Sequence, residues 1–261
     1  MLELATSAAE LTSGDVVIEV GPGLGVLTRE LARQVGWLFA IELDRKLAAI
    51  LQKTLASLGN VAVINGDVLE INPVSLLSKV PVSLPEPAER PLGYKVVANL
   101  PYYITSPVLR HFLEAEIKPR LMVLMVQREV AEAITAGPGR MSVLSVSVQF
   151  YGKPEIVSQV PADCFYPAPE VDSAILRVNV YSQPAVAVTD VSGFFGLVRA
   201  GFSAARKQLV NSLVQGLELA KAEVLALLQK AKIAPQRRAE TLTLEEWAGL
   251  WRVFSQLKEE E

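Results

Sequence analysis

The sequence is poor in the residues on which disulfide-bonded and zinc-binding proteins depend. It has one cysteine, Cys164, among 261 residues. A single cysteine cannot close an internal disulfide and cannot by itself build a zinc site. We therefore expect a protein that has no disulfide framework and needs no metal.

Long apolar runs and a secretory signal are also absent. No stretch reaches the about 18 consecutive apolar residues that a membrane span needs. The first ten residues contain Glu3 and Glu10 and no basic residue, which is unlike a signal peptide. With 51% hydrophobic and 20% charged residues, the composition is typical of a globular protein. We expect a cytoplasmic protein that does not enter a membrane.

Neither sign of charge is in large excess, because 25 Lys and Arg stand against 28 Asp and Glu, a net charge of −3. This balance argues against indiscriminate nucleic-acid binding. Residues 199–238 nevertheless hold eight basic and two acidic residues. The basic ones are Arg199, Arg206, Lys207, Lys221, Lys230, Lys232, Arg237 and Arg238. Such a stretch is typical of a surface for an anionic partner or of an ordinary solvated helical face.

Five short apolar runs alternate with segments of helical spacing, which indicates an α/β fold with a mainly parallel, doubly wound sheet. The runs are residues 16–20, 37–41, 61–64, 94–98 and 121–126. After a linker over residues 181–190, apolar residues recur every three or four positions. We predict a sheet domain over residues 1–185 and a small helical domain over residues 186–261.

Distinctive polar residues follow these strands. Glu19 and Gly21 stand at the end of the first, Glu42 at the second, Asp67 at the third and Asn99 at the fourth. Ligands of open parallel sheets bind beyond the carboxyl ends of the strands. An acidic residue after the second strand can accept ribose hydroxyls, and an aspartate after the third can accept an adenine amine. The pattern therefore predicts a nucleotide site.

The glycine-rich turn narrows the choice of nucleotide. Gly21, Gly23 and Gly25 allow a tight turn and close approach of a ligand, but the sixth position of the dinucleotide fingerprint is Val26. No Gly-Lys-Ser/Thr follows, so a phosphate-binding P-loop is absent as well. A ligand with ribose and adenine but no phosphate fits better, and S-adenosylmethionine is the candidate. The alternative, an NAD-dependent oxidoreductase, is disfavoured by Val26.

The sequence Asn99-Leu100-Pro101-Tyr102 follows the fourth strand. An amide oxygen and a backbone carbonyl that accept both N–H bonds of an exocyclic amine would localise its lone pair for attack on a methyl group. Pro101 stiffens the turn, and Tyr102 can stack on a base taken out of its helix. Either Phe165 or Tyr166 could form the other wall of the base pocket.

These motifs, in this order, resemble the rRNA adenine N6-dimethyltransferase family, and most closely its bacterial small-subunit branch. The matching segments are residues 17–25, 41–44, 66–67, 97–107, 125–132, 165–173, 202–209 and 238–242. The resemblance implies a Rossmann-like class I S-adenosylmethionine-dependent methyltransferase sheet with seven strands and a reversed final hairpin.

The resemblance also implies dimethylation of two adjacent adenosines near the 3′ end of 16S rRNA, within the assembling small (30S) ribosomal subunit, by a monomer. The cofactor would be held by Glu19, Gly21, Gly23, Glu42, Asp67 and Asn99. The target base would be held by Asn99, Leu100, Pro101, Tyr102 and Phe165. Phosphates would be contacted by Arg206, Lys207, Arg237 and Arg238. No metal is implied.

Two alternatives within the resemblance stay open. One is a sister enzyme that methylates an adenine of 23S rRNA, and the other is a non-catalytic ribosome assembly factor of the same fold. The family normally opens with a Gly-Gln-Asn/His-Phe-Leu segment before the first strand, which this sequence does not contain. We therefore expect weaker cofactor binding than is usual for the family.

Overall fold

The computed structural model describes residues 2–81, 93–165, 168–204 and 206–259. Within these residues, seven strands form one sheet in the order β3-β2-β1-β4-β5-β7-β6. The strands are β1 (Val16–Val20), β2 (Trp37–Glu42), β3 (Val61–Asn65), β4 (Tyr94–Asn99), β5 (Leu121–Gln127), β6 (Gly152–Val160) and β7 (Ser173–Val180).

The first five strands run parallel, and β7 runs antiparallel to β5. Every residue of β1 is buried, as are most residues of β2, β4 and β5, because helices cover both faces of a doubly wound sheet. The five predicted strands are confirmed to within one residue at their ends. The mixed seven-stranded sheet that the resemblance implied is confirmed as well.

Helices alternate with the strands and connect their ends. Those associated with the parallel part of the sheet are α1 (Leu2–Ala8), α2 (Val26–Ala32), α3 (Arg45–Thr54), α4 (Pro73–Leu77), α5 (Thr105–Leu113) and α6 (Arg128–Thr135). The helices further along the chain are α7 (Val143–Tyr151), α8 (Val191–Phe202), α9 (Leu209–Leu217), α10 (Lys221–Lys230) and α11 (Leu244–Glu259). None of the helices in the described part of the chain is long and apolar enough to cross a membrane.

The chain divides into two compact units, Met1–Ala131 with Lys153–Ser182, and Glu132–Gly152 with Gln183–Glu261. The predicted boundary at residue 185 lies close to the change of unit after Ser182. The predicted first domain, however, included residues 132–152, which the structure places in the second unit. The reason is packing, because Phe150 of α7 stacks on Phe194 of α8 with ring centroids 5.3 Å apart.

A buried ion cluster fixes the segment before β1 to the sheet. The Asp15 carboxylate accepts a hydrogen bond of 2.8 Å from Lys95 Nζ on β4 and is also paired with Arg120. Lys95 Nζ donates in addition to the carbonyl oxygens of Ala9 and Glu10, at 2.8 and 2.5 Å. Each charge in the cluster therefore has a partner, as buried charges require.

Candidate active site

The carboxyl ends of β3, β2, β1 and β4 meet at one edge of the sheet. Asp67, Glu42, Gly21 and Asn99 follow or end these strands in that spatial order, because the four strands are neighbours and parallel. Backbone bonds hold the strand ends together: Gly66 N donates to Glu42 O, and Gly21 N to Ile41 O, each at 3.0 Å. The structure thus brings together the residues that the sequence placed at successive strand ends.

The turn after β1 depends on glycine. Gly21, Gly23 and Gly25 have φ angles of 67°, 58° and 77°, in the left-handed region that glycine adopts without cost. A Cβ on Gly25 would lie 2.8 Å from Leu51 Cδ2, whereas a Cβ on Gly23 would have nothing within 4 Å. A Cβ on Gly21 would approach Pro101 Cδ to 3.8 Å, so this turn lies beside the Asn99–Tyr102 segment.

Glu42 organises the turn. Its Oε2 accepts from Gly23 N at 3.1 Å and its Oε1 from Asp44 N at 2.9 Å. A carboxylate has about four acceptor positions, so two remain for the hydroxyls of a ribose. Asp44 in turn caps α3 through bonds to the backbone of Lys46 and Leu47. The sequence indicated Glu42 as a ligand-binding residue but did not show that it also holds the glycine turn.

Asp67 has a similar double role. It is half-buried at the end of β3, and its Oδ1 accepts from Leu69 N at 2.9 Å, which caps a short 3-10 helix over Val68–Glu70. Its other carboxylate oxygen makes no hydrogen bond to the described residues that would compete with a ligand. Asp67 can therefore accept from an amine beyond the strand end.

Glu19 is buried beneath the turn, with 1% of its surface exposed. Burial raises the pKa of its carboxyl group to about 8; the Glu42 carboxylate acts in the same direction and the Thr28 hydroxyl lowers the pKa. Among the described residues, Glu19 Oε2 has no hydrogen-bond partner. Glu19 is thus mostly protonated near neutral pH, and its direct contact with a cofactor stays a prediction.

The end of β4 and the turn that follows it carry the Asn99 amide and the Tyr102 ring. Asn99 is exposed, and its side chain makes no hydrogen bond with the described residues. Leu100 is buried and its N–H donates to Met125 O on β5 at 3.2 Å, which ties the segment to the sheet. Pro101 precedes a 3-10 helix over Tyr102–Ile104. Tyr102 is half-buried, and its hydroxyl lies 2.8 Å from Ser173 Oγ on β7.

Phe165 follows another 3-10 helix, Ala162–Cys164, and packs partly buried against an apolar cluster that includes Val160 and Ile175. Its role as a wall of the base pocket stays a prediction. The alternative wall, Tyr166, lies outside the described residues. Asp172 and Ser173 were not predicted to be site residues from the sequence. Both lie in the motif over residues 165–173, and their place in that motif was the feature that could have indicated them.

The basic residues that were expected to bind RNA divide into two groups. Arg206, Lys207 and Arg238 are exposed, and Arg238 Nη1 lies 3.7 Å from Glu240 Oε1 at the surface. Arg237, in contrast, is half-buried and bonded within its own unit: Nη2 donates to Glu246 Oε2 at 2.9 Å and to Thr241 O at 2.6 Å. Arg237 Nη1 is also paired with Glu246 Oε1, so Arg237 is a bidentate partner of Glu246, a role that the sequence did not indicate.

Comparisons with known proteins identify the family of this chain. The sequence model of the family described as ribosomal RNA adenine dimethylase matches residues 2–255. A ribosomal RNA small subunit methyltransferase A from Dehalococcoides mccartyi strain 195 is 50% identical over 249 residues, which cover 95% of this chain and 82% of that protein. The protein of the same name from Moorella thermoacetica is 45% identical over 95% of this chain and 85% of its own length.

Two solved structures match almost the whole fold. The 23S rRNA methyltransferase ErmE superposes with a TM-score of 0.71 at 29% identity, over 98% of this chain and 96% of that one. A dimethyladenosine transferase from Plasmodium falciparum gives a TM-score of 0.79 at 23% identity, over 98% and 95%. The fold is therefore that of class I S-adenosylmethionine-dependent methyltransferases, and the chain belongs to the ribosomal RNA adenine dimethylase family.

Proposed function

We propose that the protein transfers methyl groups from S-adenosylmethionine to N6 of two adjacent adenosines near the 3′ end of 16S rRNA, in the assembling small ribosomal subunit. The observation that carries this proposal is the exposed Asn99 amide, which has no partner in the described residues and stands beside the glycine turn. The names of the most similar relatives, small subunit methyltransferases, support the choice of 16S rRNA.

The residues at the strand ends fit the cofactor. Gly23 N–H and Asp44 N–H hold the Glu42 carboxylate in place, and its free acceptor positions suit two ribose hydroxyls. The unengaged oxygen of Asp67 suits an adenine amine. Glu19 Oε2, which is buried and has no hydrogen-bond partner in the part of the chain that the structure describes, suits a polar group that is brought to the turn from outside the chain. Open space next to the Cα of Gly23 leaves room for a ligand.

S-adenosylmethionine supplies an electrophilic methyl group on a sulfonium, a good leaving group. The chain contributes positioning. Asn99 Oδ1 would accept one N–H of the target amine, so that the nitrogen lone pair is directed away from the ring. The Tyr102 ring would stack on the extruded base, an interaction worth about 1–3 kcal/mol. Holding nucleophile and electrophile in line is the main source of rate in such a reaction.

The RNA would be held by phosphate contacts from Arg206, Lys207 and Arg238, which are exposed. We assign no phosphate contact to Arg237, because Glu246 and Thr241 already use its guanidinium donors. Arginine and lysine neutralise phosphates with release of counterions, so binding should weaken steeply with salt. We further propose that the protein acts as a monomer in the cytoplasm.

Methyl transfer to isolated ribosomal subunits tests the proposal. Labelled S-adenosylmethionine is incubated with small subunits from a strain that lacks the modification, and large subunits serve as the control. We expect dimethyladenosine in 16S rRNA only. Incorporation into 23S rRNA would favour the sister activity instead, and binding of small subunits without any incorporation would favour a non-catalytic assembly factor.

Asn99→Ala separates chemistry from binding. The variant loses the amide acceptor but no bond within the described residues, so its stability should stay within about 0.5 kcal/mol of the wild type. We expect methyl transfer to be abolished while binding of small subunits is retained. Loss of both together would show that Asn99 is not the acceptor of the target amine.

A further inference from the structure

A side-chain hydrogen bond connects Tyr102 of the candidate active site to the sheet. Tyr102 Oη lies 2.8 Å from Ser173 Oγ. Ser173 has no exposed surface and is the first residue of β7, paired with Gln127 at the end of β5. The hydroxyl that meets Tyr102 is therefore held by the backbone of two paired strands.

The residue before Ser173 extends this anchor. Asp172 Oδ1 accepts from Ala162 N at 3.1 Å, at the start of the 3-10 helix that leads to Phe165. Its Oδ2 is paired with Arg128 Nη1 at 3.2 Å, and its carbonyl accepts from Arg128 N at 3.0 Å. Asp172 and Ser173 thus connect the Tyr102 segment, the end of β5 and the turn before Phe165.

Tyr102 makes one side-chain hydrogen bond among the described residues, the bond to Ser173. It sits in a three-residue 3-10 helix with no side-chain cap, and the described structure shows no ring of another aromatic residue against it. A tyrosine ring is free to turn about two side-chain torsions unless packing or a hydrogen bond holds it. The bond to Ser173 is directional, and the buried Ser173 hydroxyl has no access to bulk water as an alternative partner.

We propose that Ser173 is a positioning residue for the target base, because its hydroxyl sets the orientation of the Tyr102 ring on which the base stacks. The proposal rests on the proposed function, in which Tyr102 contacts an extruded adenine. Ser173 itself touches no substrate. In the reacting complex it holds the Tyr102 ring in the orientation that stacks on the base, so that less side-chain conformational entropy is lost when the base binds.

A double-mutant cycle tests this role. Ser173→Ala removes the buried hydroxyl, and Tyr102→Phe removes only the phenolic oxygen and keeps the ring. Each single variant should lower kcat for small subunits by about tenfold, the effect of losing one orienting hydrogen bond. The double variant should lower kcat no further, because both substitutions break the same bond. The dissociation constant of S-adenosylmethionine should not change in any of the three.

Ser145→Ala is the matched control. Ser145 is also a serine with no exposed surface, and its hydroxyl bonds to the Ser142 carbonyl in the capping box of α7. We expect this variant to lose some stability but to keep the wild-type kcat. The comparison separates the loss of a buried hydroxyl in general from the loss of the bond to Tyr102.

The outcomes distinguish this inference from the proposed function. If wild-type protein methylates small subunits and Ser173→Ala does so at the wild-type rate, the positioning role is overturned and the function stands. A double variant whose fold-loss of kcat equals the product of the two single losses would also overturn it, since the hydroxyl oxygens of Ser173 and Tyr102 would then act independently. If Ser173→Ala does not fold, equal kcat values for Tyr102→Phe and the wild type overturn the role by themselves. If the wild type transfers no methyl group, the proposed function itself has failed.

Discussion

Gly23 and Gly25 provide a test that separates the folding role of the glycine turn from its ligand-binding role. Alanine at either position must adopt a positive φ, 58° or 77°, at a cost of about 1–2 kcal/mol. At Gly25 the new Cβ would also lie 2.8 Å from Leu51 Cδ2. Leu51 is 1% exposed and cannot turn into solvent, so overpacking adds about 1–3 kcal/mol.

We therefore expect Gly23→Ala to lower the free energy of unfolding by about 1–2 kcal/mol and Gly25→Ala by about 2–5 kcal/mol. Urea denaturation at constant pH measures both values. Leu51→Ala should cost several kcal/mol alone but should remove the additional penalty at Gly25, because it deletes the atom that the new Cβ meets. Leu51→Ala in the Gly23→Ala background, where no such contact exists, is the control.

For the affinity for S-adenosylmethionine we expect the opposite ranking, with the larger loss in Gly23→Ala. The Cβ of Gly23→Ala would project into open space next to the backbone N–H that holds Glu42, so calorimetry should show S-adenosylmethionine binding weakened by at least about tenfold. Folded Gly25→Ala should bind closer to wild type. Equal stability losses in the two variants would refute the packing argument. Undiminished cofactor affinity in Gly23→Ala would refute the placement of the ligand.

Three further outcomes are expected. Burial raises the pKa of Glu19 from 4.5 to about 8, so between these pH values the folded state keeps a proton that the unfolded state releases. The free energy of unfolding of the wild type should therefore fall as pH rises through this window, and Glu19→Gln should become more stable relative to the wild type between pH 5 and pH 8. A difference in the free energy of unfolding that stays constant over this range would refute the prediction. Arg237→Ala should lower the free energy of unfolding by about 1–2 kcal/mol in urea denaturation, since it breaks the bidentate pair with Glu246. Arg206→Ala with Lys207→Ala should leave stability within about 0.5 kcal/mol but reduce the slope of log affinity for small subunits against log salt by roughly 1–2; an unchanged slope would exclude these two side chains from the interface.

The sequence predicted the parallel half of the sheet well, because buried parallel strands are short apolar runs with few competing interpretations. The strands β6 and β7 were not found by this pattern and came only from the resemblance. In β6, buried or half-buried residues alternate with exposed ones, and Pro154 lies within it. Such a strand has no continuous apolar run by which it could be recognised in the sequence. Its place in the sheet depends on its hydrogen bonds to β7.

The chemistry at the strand ends could also be read from the sequence, since parallel neighbours present their carboxyl ends at one edge. The sequence did not show which of the predicted ligand-binding side chains also make hydrogen bonds within the folded chain. Glu42 accepts hydrogen bonds from the backbone of Gly23 and Asp44. Arg237 donates hydrogen bonds to Glu246 and Thr241. Both Glu42 and Arg237 look like simple ligand-binding residues in the sequence.

From the amino-acid sequence alone, the five parallel strands, the glycine turn and the order of acidic and amide residues at the strand ends could be predicted. These features depend on local conformational preference and on a periodicity of a few residues. The tertiary structure alone revealed that Glu19 Oε2 is buried with no hydrogen-bond partner among the described residues, and that Tyr102 lies against Ser173. Burial and directional hydrogen bonds depend on which distant segments become neighbours, and the sequence motifs do not encode those distances.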